Sequence, residues 1–124
     1  MPIRLLHVIP TLDQGGAEKQ LVLLAAGLPR EEFDVSVCCL TRGGPREHCL
    51  RDADIPIHII GKRRKFSPRA YSQLKSHIRN FQPDIVHTWL FAANSYGRKA
   101  ALAAGVKHIV AGERCVDRWK SWPH

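Results

Sequence analysis

Adjacent glycines stand where the first apolar run of the chain gives way to a helical pattern. A residue without a Cβ atom lets a ligand approach the backbone closely, and the N–H groups that begin a helix are unpaired and lie at its positive end. Gly15 and Gly16 are therefore predicted to offer backbone N–H groups to a phosphate or sugar oxygen. The alternative is a tight strand-to-helix turn that binds no ligand.

This turn lacks the pattern of a dinucleotide-binding loop. Glu18 and Gln20 occupy the stretch in which a third glycine would be sought, and no acidic residue closes the second predicted strand. A dinucleotide is therefore disfavoured as the ligand.

Polar and aromatic side chains follow the fourth and fifth predicted strands. His87 and Trp89 are two positions apart on a strand, so they share one side of the sheet, and Asn94 follows on the same loop or in the first helical turn. Glu113 and Arg114 come after the fifth strand. They could act as a general base or as a clamp on a sugar, and the simpler alternative is that they form an ion pair with each other. A lone histidine near a strand end is also commonly structural. These five residues are predicted to line a donor or acceptor site, without an assigned catalytic residue.

The densest charge run consists of Lys62, Arg63, Arg64 and Lys65, directly after the third predicted strand. It is either a solvated loop or a contact for an anionic acceptor or membrane surface. Nucleic acid is disfavoured because no aromatic residues are interleaved with the run. The net charge of +8 would attract phosphate, nucleic acid or an anionic membrane, and does not choose among them.

No metal site or disulfide framework is predicted. The cysteines form no CxxC pair and are expected to be buried free thiols: Cys38, Cys39, Cys49 and Cys115. Four histidines without metal-ligand spacing receive no role: His7, His58, His77 and His108. No metal and no cofactor are expected.

Five short apolar runs alternate with segments of helical period, which predicts an α/β fold. The expected architecture is a Rossmann-like parallel sheet in the order 3-2-1-4-5 with helices on both faces. Strands are predicted at residues 3–9, 34–41, 55–60, 84–88 and 107–111. Helices are predicted at residues 17–28, 45–53, 68–81 and 92–104. In such a sheet the ligand crevice lies beyond the carboxyl ends of the strands.

The helical periods also predict which side chains are buried. The first helix is expected to bury Ala17, Leu21, Leu24, Ala25 and Leu28, and to expose Glu18, Lys19 and Gln20. The third is expected to bury Ala70, Leu74, Ile78 and Phe81, and Gly105 is expected to end the fourth.

Length and composition predict a single globular domain over residues 1–124. The sequence shows no apolar stretch long enough to span a bilayer and no secretory signal pattern, so a cytoplasmic location is expected. The tail carries Trp119 and Trp122 without a period that would bury them, which predicts that the chain stops before the natural domain boundary.

Two stretches of the sequence together resemble glycosyltransferase family 4. One runs from Leu6-His7-Val8-Ile9 into Asp13-Gln14-Gly15-Gly16-Ala17-Glu18, and the other is Pro83-Asp84-Ile85-Val86-His87. The resemblance covers nearly the whole chain. It implies the GT-B fold, in which two Rossmann-like domains face a cleft and the carboxyl-terminal domain holds most of the donor nucleotide.

The resemblance further implies sugar transfer from a nucleotide-sugar donor to a glycan or lipid-linked acceptor, with retention of configuration and without a metal ion. It places Gly15 and Gly16 near the donor diphosphate and acceptor. The family often has a second histidine two residues after the first, lining the sugar site, and this chain has Trp89 there. His87, Trp89 and Asn94 are therefore only expected to contribute to a site. The donor motif of the second domain has no counterpart in the sequence, so the chain alone is expected to be inactive.

Two other classes remain open. One is a truncated or orphan domain that acts as a stand-alone Rossmann-like or flavodoxin-like binding module for a phosphorylated ligand. The other is a small flavodoxin-like or receiver-like protein with its own ligand, and a receiver would need an acidic cluster at the end of the first strand, where Asp13 stands alone.

Overall fold

Nine elements alternate strictly between strand and helix in the computed structural model, which describes residues 2–12, 16–61 and 68–112. The strands are β1 (Ile3–Ile9), β2 (Phe33–Cys39), β3 (Ile57–Ile59), β4 (Ile85–Trp89) and β5 (His108–Gly112). The helices are α1 (Gly16–Gly27), α2 (Glu47–Asp52), α3 (Pro68–Phe81) and α4 (Leu90–Ala104).

The strands form one parallel sheet in the order β3-β2-β1-β4-β5, which confirms the predicted topology. Because side chains alternate along a strand, the sheet has two apolar faces. One face packs against α1 and α2, through residues such as Ile9, Val37 and Leu50. The other packs against α3 and α4, through residues such as Val8 and Leu74. Helices therefore cover both faces, as predicted.

The buried side of α1 differs from the prediction. Leu24 is 40% exposed, whereas Glu18, expected to face solvent, is only 8% exposed. The helix is apolar around most of its circumference from Leu21 to Ala26, so its sequence does not mark one side. The carboxylate of Glu18 is compensated by a hydrogen bond from the Thr11 hydroxyl at 3.3 Å.

The other helices follow their sequence signals more closely. Ala70, Leu74 and Ile78 of α3 are buried as predicted, whereas Phe81 is half-buried beneath the Arg4 guanidinium, 5.1 Å from its ring centroid. Gly105 ends α4 with the left-handed φ of 79° that favours glycine. No helix among the described residues is long and apolar enough to cross a membrane.

Candidate functional site at the carboxyl edge of the sheet

The register between β1 and β4 is fixed at their amino ends by Asp84. Its carboxylate accepts a hydrogen bond from the backbone N–H of Arg4 at 2.9 Å, and its own N–H donates to the Arg4 carbonyl at 2.8 Å. The pairing that follows sets His7 directly beside His87. A slip of one residue would move His87 to the opposite face of the sheet. The Asp84 contacts therefore determine which side chains meet at the other end of β4.

Three ring side chains come together on the α1 side of the sheet. The rings of His87 and Trp89 are stacked, with centroids 4.3 Å apart and planes at 20°. The His7 ring lies 5.3 Å from His87 and 5.9 Å from Trp89. The indole Nε1–H of Trp89 donates a hydrogen bond to Nδ1 of His7 at 3.0 Å. We call His7, His87 and Trp89 the aromatic cluster.

Both histidines of the aromatic cluster are uncharged near neutral pH. Burial lowers the pKa of His7 to about 3, with a further contribution from the nearby His87. Burial also lowers the pKa of His87 to about 4. Proton transfer near neutral pH is served best by a group whose pKa lies close to 7. The cluster is therefore suited to shape and stacking contacts rather than to proton transfer.

The strand-to-helix turn opens at the same edge as the aromatic cluster. Gly16 is the first residue of α1, and the preceding residues 13–15, which include Gly15, lie outside the described part of the chain. On the strand side of the turn, Leu12 is fully buried and its carbonyl accepts a hydrogen bond from the backbone N–H of Arg46 at 3.1 Å. Leu12 is thus tied to the loop between β2 and α2.

That neighbouring loop is fastened by Glu47. Its Oε2 accepts a hydrogen bond from the backbone N–H of Gly44 at 3.0 Å, and its Oε1 accepts one from Arg51 at 2.7 Å. Both contacts stabilise the carboxylate and lower the pKa of Glu47. Hydrogen bonds therefore hold the described segments at this edge, Leu12 at the end of the first strand and the stretch from Gly44 to Glu47.

The remaining predicted site residues are placed only in part. Asn94 lies in the second turn of α4 rather than in a loop or first turn, because α4 begins directly after Trp89; its side chain is not described. Glu113, Arg114 and the run Lys62 to Lys65 lie outside the described residues. Among the described residues, no group of three or more His, Cys, Asp or Glu side chains could hold a metal ion.

Sequence reasoning missed His7, which received no role. The predicted strand order sets β1 beside β4, but it does not give the register between them. Aligning the predicted strand ends, Ile9 and Thr88, would place His7 beside Val86, whereas the structure pairs His7 with His87. The structure thus confirms that His87 and Trp89 share one side and adds His7 to them.

Comparisons with known proteins agree with this architecture. The profile of Glycosyltransferase Family 4 matches residues 14–118. No curated protein matches the sequence closely enough to count as a relative. Among solved structures, MurG from Acinetobacter baumannii is similar with a TM-score of 0.69 and 17% identity, over 90% of this chain and 35% of that one.

A second solved structure is UDP-GlcNAc 2-epimerase from Neisseria meningitidis bound to UDP-GlcNAc. Its TM-score is 0.54 at 20% identity, over 98% of this chain and 36% of that one. At these identities the two likenesses concern the fold. The chain spans about a third of the length of each of these proteins.

Proposed function

The chain belongs to glycosyltransferase family 4, and from this premise we propose that it forms the acceptor-side domain of a nucleotide-sugar-dependent glycosyltransferase. The reaction transfers a sugar to a glycan or lipid-linked acceptor of polysaccharide or cell-envelope synthesis. It retains the anomeric configuration and uses no metal ion. A second domain, outside these 124 residues, holds most of the donor nucleotide.

The observation that carries this proposal is the aromatic cluster at the carboxyl edge, beside the turn that begins α1. A sugar ring presents C–H groups on its faces, and flat apolar side chains such as the Trp89 indole complement those faces while burying apolar area. His87 backs the indole by stacking on it. We assign this surface to a sugar ring of the acceptor or of the donor.

The start of α1 complements this surface electrostatically. The first N–H groups of a helix have no intrahelical partner and carry the positive end of the helix dipole. Gly16 adds no Cβ atom that would keep an anionic oxygen away. We therefore assign Gly16, with Gly15, to the donor diphosphate or to an acceptor phosphate, and leave Asn94, Glu113 and Arg114 as further residues proposed to contact the ligand.

An anionic membrane surface is the proposed location of the acceptor, with the enzyme on the cytoplasmic side. The supporting feature is the charge of α3 and α4, which contain five basic residues and no acidic one: Arg69, Lys75, Arg79, Arg98 and Lys99. The helices of the opposite face, α1 and α2, contain three acidic and two basic residues. The positive charge of the helices is thus concentrated on one face of the sheet, and the run Lys62 to Lys65 lies two residues before α3 in sequence.

A nuclear magnetic resonance titration of the ¹⁵N-labelled chain tests the proposed sugar site. The probes are mono- and disaccharides, nucleotide-diphosphate sugars and inorganic phosphate. We expect saccharides to shift the Trp89 indole and the backbone signals of His87 and Gly16, and to leave Gly105 and Lys107 at the other edge unchanged. Binding is expected at millimolar concentration because only one wall of the cleft is present.

Two matched variants distinguish the loss of the proposed sugar site from the loss of an aromatic side chain elsewhere on the domain. Trp89→Leu should abolish the saccharide shifts, whereas Tyr71→Leu should leave them unchanged, because Tyr71 is also half-buried but packs on the α3 and α4 side. Shifts with phosphate but with no saccharide would favour the stand-alone phosphate-binding module. Saccharide shifts confined to the other edge would contradict the proposed site.

A further inference from the structure

The environment of His7 is not explained by stability. The side chain is fully buried, and its Nε2 has no hydrogen-bond partner among the described residues. A buried polar atom without a partner loses its interaction with water and gains nothing in return, so it destabilises the fold. An apolar ring at this position would avoid that loss. The other ring nitrogen of His7, Nδ1, accepts a hydrogen bond from the indole Nε1–H of Trp89.

The bond from Trp89 determines the protonation of the His7 ring. Indole Nε1–H is only a donor, so Nδ1 of His7 must be the acceptor and cannot carry a proton. In the neutral ring the proton then resides on Nε2, the atom that lacks a partner. The tautomer that leaves a buried donor unsatisfied is therefore the one that the contact with Trp89 requires.

We propose that His7 is a positioning residue that holds the Trp89 indole in place against His87 for ligand stacking. The inference rests on the proposed function, which assigns the Trp89 surface to a sugar ring. The hydrogen bond to His7 holds the Nε1 edge of the Trp89 indole, and stacking on His87 sets the orientation of the indole plane. A stacking surface that is already ordered loses less side-chain freedom when a ligand binds.

His7→Phe and His7→Asn test the proposal with a readout that does not depend on any ligand. Phenylalanine keeps a ring but removes the acceptor, whereas the amide oxygen of asparagine can still accept the indole proton. Hydrogen exchange of the Trp89 indole N–H is measured by nuclear magnetic resonance, with Trp89→Phe used to assign its signal among the three tryptophans. We expect about ten-fold faster exchange in His7→Phe and partial recovery in His7→Asn.

Saccharide affinity and stability toward urea are measured on the same variants. His7→Phe is expected to weaken saccharide binding by about ten-fold while its stability stays within about 1 kcal/mol of the wild type, because it removes the unpaired Nε2–H of His7 but also the acceptor of the Trp89 indole N–H. His7→Asn is expected to bind within about three-fold of the wild type. Loss of affinity together with an equal loss of stability would show a merely structural role and overturn the proposal. Unchanged indole exchange in His7→Phe would also overturn it.

A measurement on the wild-type ring covers the case in which His7→Phe does not fold. Imidazole ¹⁵N shifts should show Nδ1 of His7 as a hydrogen-bonded acceptor, and Trp89→Phe should shift that signal. No change between the two proteins would overturn the proposal. If indole exchange responds as expected but no variant and no wild-type chain binds saccharide, the ordering of Trp89 by His7 stands and the proposed sugar site fails.

Discussion

Gly97 of α4 lies so close to Thr88 of β4 that a Cβ atom added at Gly97 would come within 2.5 Å of the Thr88 γ-methyl carbon. Thr88 is fully buried and its hydroxyl lies 3.4 Å from the Val110 carbonyl, so it has little room to move. The absence of a side chain at Gly97 therefore lets α4 approach the strand that ends in Trp89.

Replacing Gly97 with alanine is expected to destabilise the domain by about 1–3 kcal/mol, because the added methyl group overpacks the interface between α4 and β4. Alanine has the better helix propensity, so an open helical position would show the opposite sign. Gly27 at the end of α1 provides that control, since nothing lies within 4 Å of a Cβ added there. Urea unfolding measures the free energy of unfolding of Gly97→Ala and Gly27→Ala against the wild type. Equal stabilities would show that the helix can move away from Thr88.

Burial of His7 lowers the stability of the folded domain at acidic pH. His7 binds a proton only near pH 3 in the folded chain, whereas the unfolded side chain does so near 6.5. The unfolded state thus binds more protons between these values, and stability falls as pH decreases through this window. At pH 5 the loss from His7 is about 2 kcal/mol relative to neutral pH.

Unfolding free energies measured between pH 7 and pH 4 check this contribution. His7→Phe should show a shallower loss of stability than the wild type, and the difference between the two should grow as pH falls below 6.5. Asn80→Gln, at an exposed position without a titratable side chain, should give a curve parallel to that of the wild type. Parallel curves for wild type and His7→Phe would mean that His7 gains access to solvent without unfolding.

The architecture was predictable because each element carries its own local signal. The apolar run Ile3–Ile9 gave β1 its correct bounds, and strict alternation of strands and helices led to the correct strand order. The orientation of α1 was not predictable, because leucine and alanine surround most of that helix and tertiary packing alone decides which side is buried.

For the site, the sequence predicted only the arrangement of residues that lie on the same strand. Alternation along β4 correctly placed His87 and Trp89 on one side. The partner of Trp89 is 82 residues away in sequence, and their contact depends on the register that Asp84 sets between β1 and β4. The burial that lowers the pKa of both histidines likewise arises only when helices pack on the sheet.

The basic face of α3 and α4 predicts salt-sensitive binding to vesicles that contain anionic lipids. Each cation near such a surface contributes about 1 kcal/mol, and the attraction is screened by salt. Co-sedimentation at low salt should capture the chain, and high salt should release it. Replacing all four residues of the basic run with serine should weaken vesicle binding more than replacing any single one of them: Lys62, Arg63, Arg64 and Lys65.

Two charge-reversal variants with the same change in net charge localise the membrane contact. Arg79→Glu with Lys99→Glu alters the basic face and should weaken vesicle binding by at least about ten-fold. Lys19→Glu with Arg30→Glu alters exposed positions on α1 and the loop after it, and should have a smaller effect. Equal losses would indicate a response to net charge alone, and no binding at low salt would end the proposal.

The chain alone is expected not to transfer sugar, although it belongs to a family of glycosyltransferases. Transfer in a cleft between two domains depends on holding donor and acceptor in register, which can lower a barrier by about 7–11 kcal/mol in well-oriented systems. In the proposed two-domain enzyme, the carboxyl edge of this sheet would supply one wall of such a cleft. A ligand that rests on one wall stays largely solvated, and water weakens each electrostatic contact with Gly16 and the start of α1.

The measurement is a titration of the 124-residue chain with several nucleotide-diphosphate sugars, accompanied by a product assay with a broad panel of acceptors. Nucleotide binding is expected to be weak, in the millimolar range, and no product should form, since the donor and acceptor are not held together. Trp89→Leu, run in parallel, distinguishes contacts at the aromatic cluster from nonspecific attraction of anions to a chain with a net charge of +8. Turnover, or micromolar affinity for one donor that Trp89→Leu abolishes, would place a complete donor site within this chain and contradict the assignment of the donor to a second domain.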